Sequence, residues 1–188
     1  MTLRFLLPWA CLLPIPHLAT AAESDKPVPE ARGQKLDGKL HGPIEIWTTP
    51  EYRQAAGNYY KGEPDGKWTL WDEAGTKVAE ITYRMGSFTG TVIMWHNSAS
   101  GPRMRGKLKM RGSFNDGLWQ GSVMSYYPNG KVRCERNYAN GEITSAYAYQ
   151  PSGKAIADKE AMKIALKDEE ADNAYVDAVD AFIRKWAG

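Results

Sequence analysis

Hydrophobic and polar residues alternate along two well-separated stretches of the chain. Lys77, Ala79, Ile81 and Tyr83 fall on one side of the first, opposite Thr76, Val78, Glu80 and Thr82. Val132, Cys134, Arg136 and Tyr138 oppose Lys131, Arg133, Glu135 and Asn137 in the second. A period of two with one mostly apolar or aromatic side is the mark of a strand covered on one face. Each stretch follows a turn-forming group, Asp72-Glu73-Ala74-Gly75 or Tyr127-Pro128-Asn129-Gly130. Before the first turn comes another short strand, Lys67-Trp68-Thr69-Leu70-Trp71. Strand, turn and returning strand predict a β-hairpin.

The hairpin repeats. Gly62, Gly66, Trp71, Gly75 and Tyr83 are separated by steps of 4, 5, 4 and 8, and Gly117, Gly121, Tyr126, Gly130 and Tyr138 by the same steps. Gly38, Gly42 and Trp47 open another copy, with Tyr59 where Tyr83 would fall. Gly86, Gly90 and Trp95 open a further one, and a fifth begins at Gly141. The starts at 38, 62, 86, 117 and 141 are spaced by 24, 24, 31 and 24 residues, so seven extra residues lie between Trp95 and Gly117. A lone hairpin is marginal in water, so such units must stack side by side. The expected fold is mainly β: an elongated antiparallel sheet of stacked β-hairpin repeats over residues 36–155, with a C-terminal α-helical segment. The paired glycines, such as Gly62 and Gly66, supply the positive φ needed to pass from one hairpin to the next.

Residues 62–75, Gly-Glu-Pro-Asp-Gly-Lys-Trp-Thr-Leu-Trp-Asp-Glu-Ala-Gly, resemble the MORN repeat, in the variant found in bacterial YwqK-family antitoxins. Residues 117–130, with Tyr-Tyr-Pro-Asn-Gly before the return strand, resemble it equally. The resemblance implies a repeat β-sheet with a binding role, and points to an antitoxin- or immunity-like function.

The flanks differ in character. Arg4 and the apolar run Phe5–Ile15 precede Ala19-Thr20-Ala21, which fits a small-residue cleavage site. The run is shorter than the roughly 20 residues of a membrane span. Residues 1–21 are therefore expected to be a cleaved signal peptide, with an uncleaved anchor as the other reading, and the mature protein to be periplasmic or secreted. Residues 22–35 hold few apolar groups and read as a disordered linker. Across 156–188 Gly and Pro largely give way to Ala, Lys, Asp and Glu. Tyr175, Val179, Phe182 and Trp186 make an apolar stripe at helical spacing, with Val176 and Ile183 beside them and Asp168 to Asn173 as a potential break or exposed middle. This helix either covers the sheet or waits to dock a partner.

Composition narrows the function. The formal net charge is only +2, with no basic stripe noted, so nucleic acid is not an expected partner. Signal cleavage would leave Cys134 alone, either buried or a free thiol. His41 and His96 share no metal-ligand spacing with it and read as exposed turn residues. No phosphate loop, catalytic triad or nucleophile elbow is present in the sequence. No catalytic residue, metal or cofactor is expected, and the chain is not expected to be an enzyme. One set of residues invites a binding role: Trp47, Trp71, Trp95 and Tyr126 hold the same place in successive units. Exposed, this ladder could grip an extended peptide or a glycan by its ring faces; buried, it would be core beneath the helix. The expected function is that of an exported protein-binding module, with glycan or cell-wall binding as the alternative.

Overall fold

A computed structural model describes residues 30–187. The expected signal peptide and residues 22–29 of the expected linker lie outside the described residues. Eleven strands form one antiparallel sheet: β1 (Glu30–Leu36), β2 (Lys39–Trp47), β3 (Arg53–Tyr60), β4 (Glu63–Trp71), β5 (Lys77–Arg84), β6 (Ser87–Trp95), β7 (Leu108–Asn115), β8 (Leu118–Trp119), β9 (Gly121–Tyr126), β10 (Val132–Ala139) and β11 (Glu142–Ala148). Neighbours in sequence are neighbours in space, and β8 and β9 are two pieces of one strand that both pair with β7. One helix, α1 (Asp158–Arg184), completes the fold.

Two kinds of turn alternate along the sheet. Asp37-Gly38, Lys61-Gly62, Met85-Gly86, Asp116-Gly117 and Asn140-Gly141 each have positive φ at both residues. That is the signature of the two-residue hairpin turn whose twist matches the strands. The glycine that opens each unit is the second residue of this turn. The other ends close over longer turns such as Asp72–Gly75, where the Gly75 amide donates to the Asp72 carbonyl at 2.8 Å. Each of four hairpins then carries the same irregularity, a β-bulge. Trp47, Trp71, Trp95 and Tyr126 pair with Arg53, Lys77, Leu108 and Val132, leaving Gln54, Val78, Lys109 and Arg133 as the extra residues.

Residue 30 onward departs from the linker expectation. Residues 30–35 belong to β1, which pairs with β2 along its whole length. Their polar composition suits an edge strand whose side chains are mostly exposed, while Ala31 packs on the core.

The core lies between the sheet and α1. Ile44, Trp68, Ile81, Val92, Met110 and Val123 face the helix and are almost wholly buried. Gly57 lies beneath the Trp68 indole, where an added Cβ would stand 2.2 Å from the ring. The returning strands contribute Tyr59, Tyr83, Phe114 and Tyr138 at one repeat position, all buried. With Phe88 and Trp119 the last three make a file of rings, closest at 3.9 Å between the stacked Phe114 and Trp119, while Tyr59 meets Trp68 edge-on. The helix crosses this file. Tyr59 donates its hydroxyl to the Ile183 carbonyl at 2.5 Å, Tyr83 to Asp180 at 3.1 Å, and Trp119 its indole N–H to Asn173 at 2.7 Å.

The helix differs from the sequence expectation in two ways. Its buried stripe runs through Ala161, Ala165, Asp168, Asp172, Val176, Val179 and Ile183. Tyr175, Phe182 and Trp186 flank that stripe and are half-buried. The segment 168–173 does not break the helix. Asp168 and Asp172 lie within the buried stripe because the sheet offers each an arginine: Arg133 pairs with Asp168 and Arg136 with Asp172. Arg136 is 0% exposed, on the core side of β10 where β3 and β7 have Gly57 and Gly112.

Candidate functional site

The sheet face away from α1 carries the predicted ladder. Trp47, Trp71, Trp95 and Tyr126 are all half-buried, and none lies under the helix. Each stands out of phase with the core residues of its strand, as Trp71 does with buried Trp68 and Leu70. Their ring faces carry cations from neighbouring strands. Arg32 lies 4.7 Å from the Trp47 ring centroid, Arg53 4.4 Å from that of Trp71, and Lys77 4.7 Å from that of Trp95. Acidic residues fix the cations in turn: Glu45 pairs with Arg53 at 2.5 Å and Glu80 with Lys77 at 2.9 Å. The Arg53 hydrogen bond holds the Glu45 carboxyl below its usual range against the effect of burial. Tyr126 has no such cation and donates its hydroxyl to Met124 Sδ at 3.5 Å.

On the helix side, at the long-turn end, the seven-residue insertion makes a cleft. A 3-10 turn, Ser98–Ser100, is tied back by Asp72, whose Oδ2 accepts from both the amide and the hydroxyl of Ser98 at 2.6 Å. Asp72 Oδ1 accepts from the amides of Ala74 and Thr76. Burial raises the Asp72 pKa, but these hydrogen bonds outweigh it and leave the carboxyl below its ordinary value. The cleft has two lobes, of about 250 and 280 Å³, which share His96 and Lys109. Val78 and Tyr175 line the first; Met104, Tyr127, Arg133 and Asp168 line the second. His96 is half-buried, not an exposed turn residue, and its Nε2 is enclosed without a hydrogen-bond partner. Burial, with a smaller contribution from Lys109, holds its pKa below the usual histidine range.

The remaining chemistry-bearing groups are structural. Cys134 is fully buried among Ala146, Ala148, Ala161 and Ala165, and burial pushes its thiol up to about 11. His41 is half-buried beside Tyr60 and accepts the Lys61 amide at Nδ1. Ser125 donates to Asp168, so this hydroxyl faces an ion-paired carboxylate and not a histidine base. Among the described residues no three His, Cys, Asp or Glu side chains are grouped to hold a metal, and no helix is long and apolar enough to cross a membrane.

Residues 119–140 run from β8 through the Tyr127–Gly130 turn to the end of β10, and they match the family model for the MORN repeat variant. The chain carries a MORN-variant repeat. MORN repeats are in general binding modules for proteins and membranes, consistent with a non-catalytic repeat protein. No curated protein matches the chain. Similar solved structures include the crystal structure of TarM, 18% identical with a TM-score of 0.31, covering 50% of this chain and 17% of that one. Another is the crystal structure of the GtfA/B complex bound to UDP and GlcNAc, 10% identical with a TM-score of 0.27, covering 84% of this chain and 28% of that one. The chain thus spans less than a third of the length of either.

Within the MORN-variant hairpin, sequence periodicity placed Tyr126 on the repeat grid and Arg136 on the apolar side. It did not reveal the bulge at Arg133. A bulge shifts the phase by one residue, so plain alternation puts Arg133 on the face opposite to the one it uses. The comparison of Gln54, Val78, Lys109 and Arg133 across units was the available signal.

Proposed function

We propose that this chain is a non-catalytic protein-binding module that works outside the cytoplasm, with the helix-free face of the sheet as its binding surface. The observation that carries this reading is the alternating row Arg32, Trp47, Arg53, Trp71, Lys77 and Trp95. Trp, Tyr and Arg are the residue types that dominate binding energy at protein interfaces. Here they are held by cation–π contacts and by Glu45 and Glu80, so little side-chain freedom is lost on binding. An immunity- or antitoxin-like role, suggested by the YwqK-type resemblance of residues 62–75 and 117–130, is the specific form proposed. Glycan stacking is the weaker reading, because three of the four rings already carry a cation on one face.

The test is crosslinking in the envelope fraction with wild-type protein and with a Trp71→Ala, Arg53→Glu double variant. A protein recovered with the wild type and lost with a folded variant supports the reading. Equal recovery with both, or retention on cell-wall glycan that the variant loses, counts against it. Mass spectrometry of the same material should find the mature start near Ala22; an intact Met1 there would remove the export part.

A further inference from the structure

The four bulge residues occupy one place in the repeat, and three of them are accounted for. Gln54 accepts a hydrogen bond from Thr48 at 2.6 Å, Val78 packs on the core, and Arg133 is neutralised by Asp168 of α1. Lys109 is the exception. It lies in the cleft shared with His96, and among the described residues it forms no ion pair. The helix presents Tyr175 to it, with the ammonium 5.6 Å from the ring centroid. Asp172 lines the same cleft and attracts the Lys109 ammonium, but its hydrogen-bonded partner is Arg136. Asp72 lines the other lobe, and its oxygens are taken by Ser98, Ala74 and Thr76. The enclosed His96 Nε2 adds a second polar atom without a partner.

We infer that this cleft receives a carboxylate side chain, Asp or Glu, from a partner protein, with Lys109 as its counter-charge and His96 Nε2 as a hydrogen-bonding group. The bound carboxylate would complete Lys109 as Asp168 completes Arg133. A side chain fits better than a chain terminus, because terminal carboxylates are captured by nests of backbone N–H groups, and the free groups here are side chains. The half-buried Tyr175 ring shields one side of the Lys109 ammonium from solvent, which strengthens a charge pair formed there. The inference rests on the protein-binding reading above and assigns that reading a specificity pocket. The insertion contributes Asn97, Ser100 and Met104 to its lining.

The probe is the blocked peptide acetyl-Gly-Glu-Gly-amide, titrated against the whole protein while the His96 ring resonances are followed by NMR. A saturable shift is expected, absent with the Gln analogue. Lys109→Met should weaken binding by at least about tenfold, the loss typical of a charge-assisted hydrogen bond, and Lys109→Arg should restore it. Melting curves of both variants establish that they are folded. No saturable shift, an equal shift with the Gln peptide, or undiminished binding by folded Lys109→Met overturns the inference. Tighter binding of acetyl-Gly-Gly with a free terminus overturns the side-chain assignment. If the peptide fails while the crosslinked protein still binds through Trp71 and Arg53, the pocket falls and the binding face stands.

Discussion

Arg136 and Asp172 show how one residue pair fixes the register of the whole helix. Arg136 is wholly buried and Asp172 is 4% exposed, so neither reaches solvent to exchange its partner for water. Burial pushes the Asp172 carboxyl upward while the Arg136 guanidinium pulls it down. Such a pair is weak support for stability as a unit, yet breaking it strands a buried charge. Asp172→Ala is therefore expected to cost about 3–5 kcal/mol in denaturant unfolding, and the double change Arg136→Met, Asp172→Leu to recover most of the loss. A single variant as stable as wild type would contradict this. The alternation already put Arg136 on the apolar side, so half of this pair was legible. Its partner was not. Asp168 and Asp172 look like a polar interruption of the helix until the arginines opposite them are known.

The hairpins were readable as elements because glycine and aromatic spacing reports turns directly. The long-turn insertion was readable only as a count of seven residues. Its placement depends on Asp72, which accepts two hydrogen bonds within its own turn and two from Ser98, 26 residues away. The pH dependence follows from the direction of its shift. The folded carboxyl has a depressed pKa, so its contribution is present above the unfolded value and is lost as the pH falls through the folded one. Amide exchange at Ser98 and Ser100 should accelerate in that acid range, before global unfolding. Asp72→Asn should show the fast exchange already at neutral pH. Protection unchanged in that variant would mean that something other than Asp72 holds the insertion.

At the scale of the molecule, α1 is the second layer that a one-faced sheet requires. It bonds to Tyr59 in β3, Tyr83 in β5 and Trp119 in β8, and it packs on β10 and β11. Truncation after Asp158 should lower the melting temperature and promote aggregation, since Val176, Val179 and Ile183 each bury a side chain worth about 1.5–3 kcal/mol. Unchanged melting of the truncated chain, together with loss of complex formation, would instead make the helix a docking element. The sequence offered both roles for this helix. Its spacing identified an apolar stripe but not what lay against it, and the observed stripe is centred one position away, on Val176 and Ile183.

The bond from Tyr59 to Ile183 spans 124 residues, and its consequence lies in time. Hairpins close on microsecond scales from local contacts, so the strands can zip together as soon as each unit emerges. The helix that covers them follows all of them in the chain. Until it arrives, Trp68, Ile81 and Met110 line an open apolar face, and the array behaves as a row of weakly coupled units that open and close separately. Docking of α1 ties the third strand to the eleventh and turns that row into one cooperative body. The covered, cooperative state of the sheet is thus reached only once α1, which follows all eleven strands in sequence, has docked.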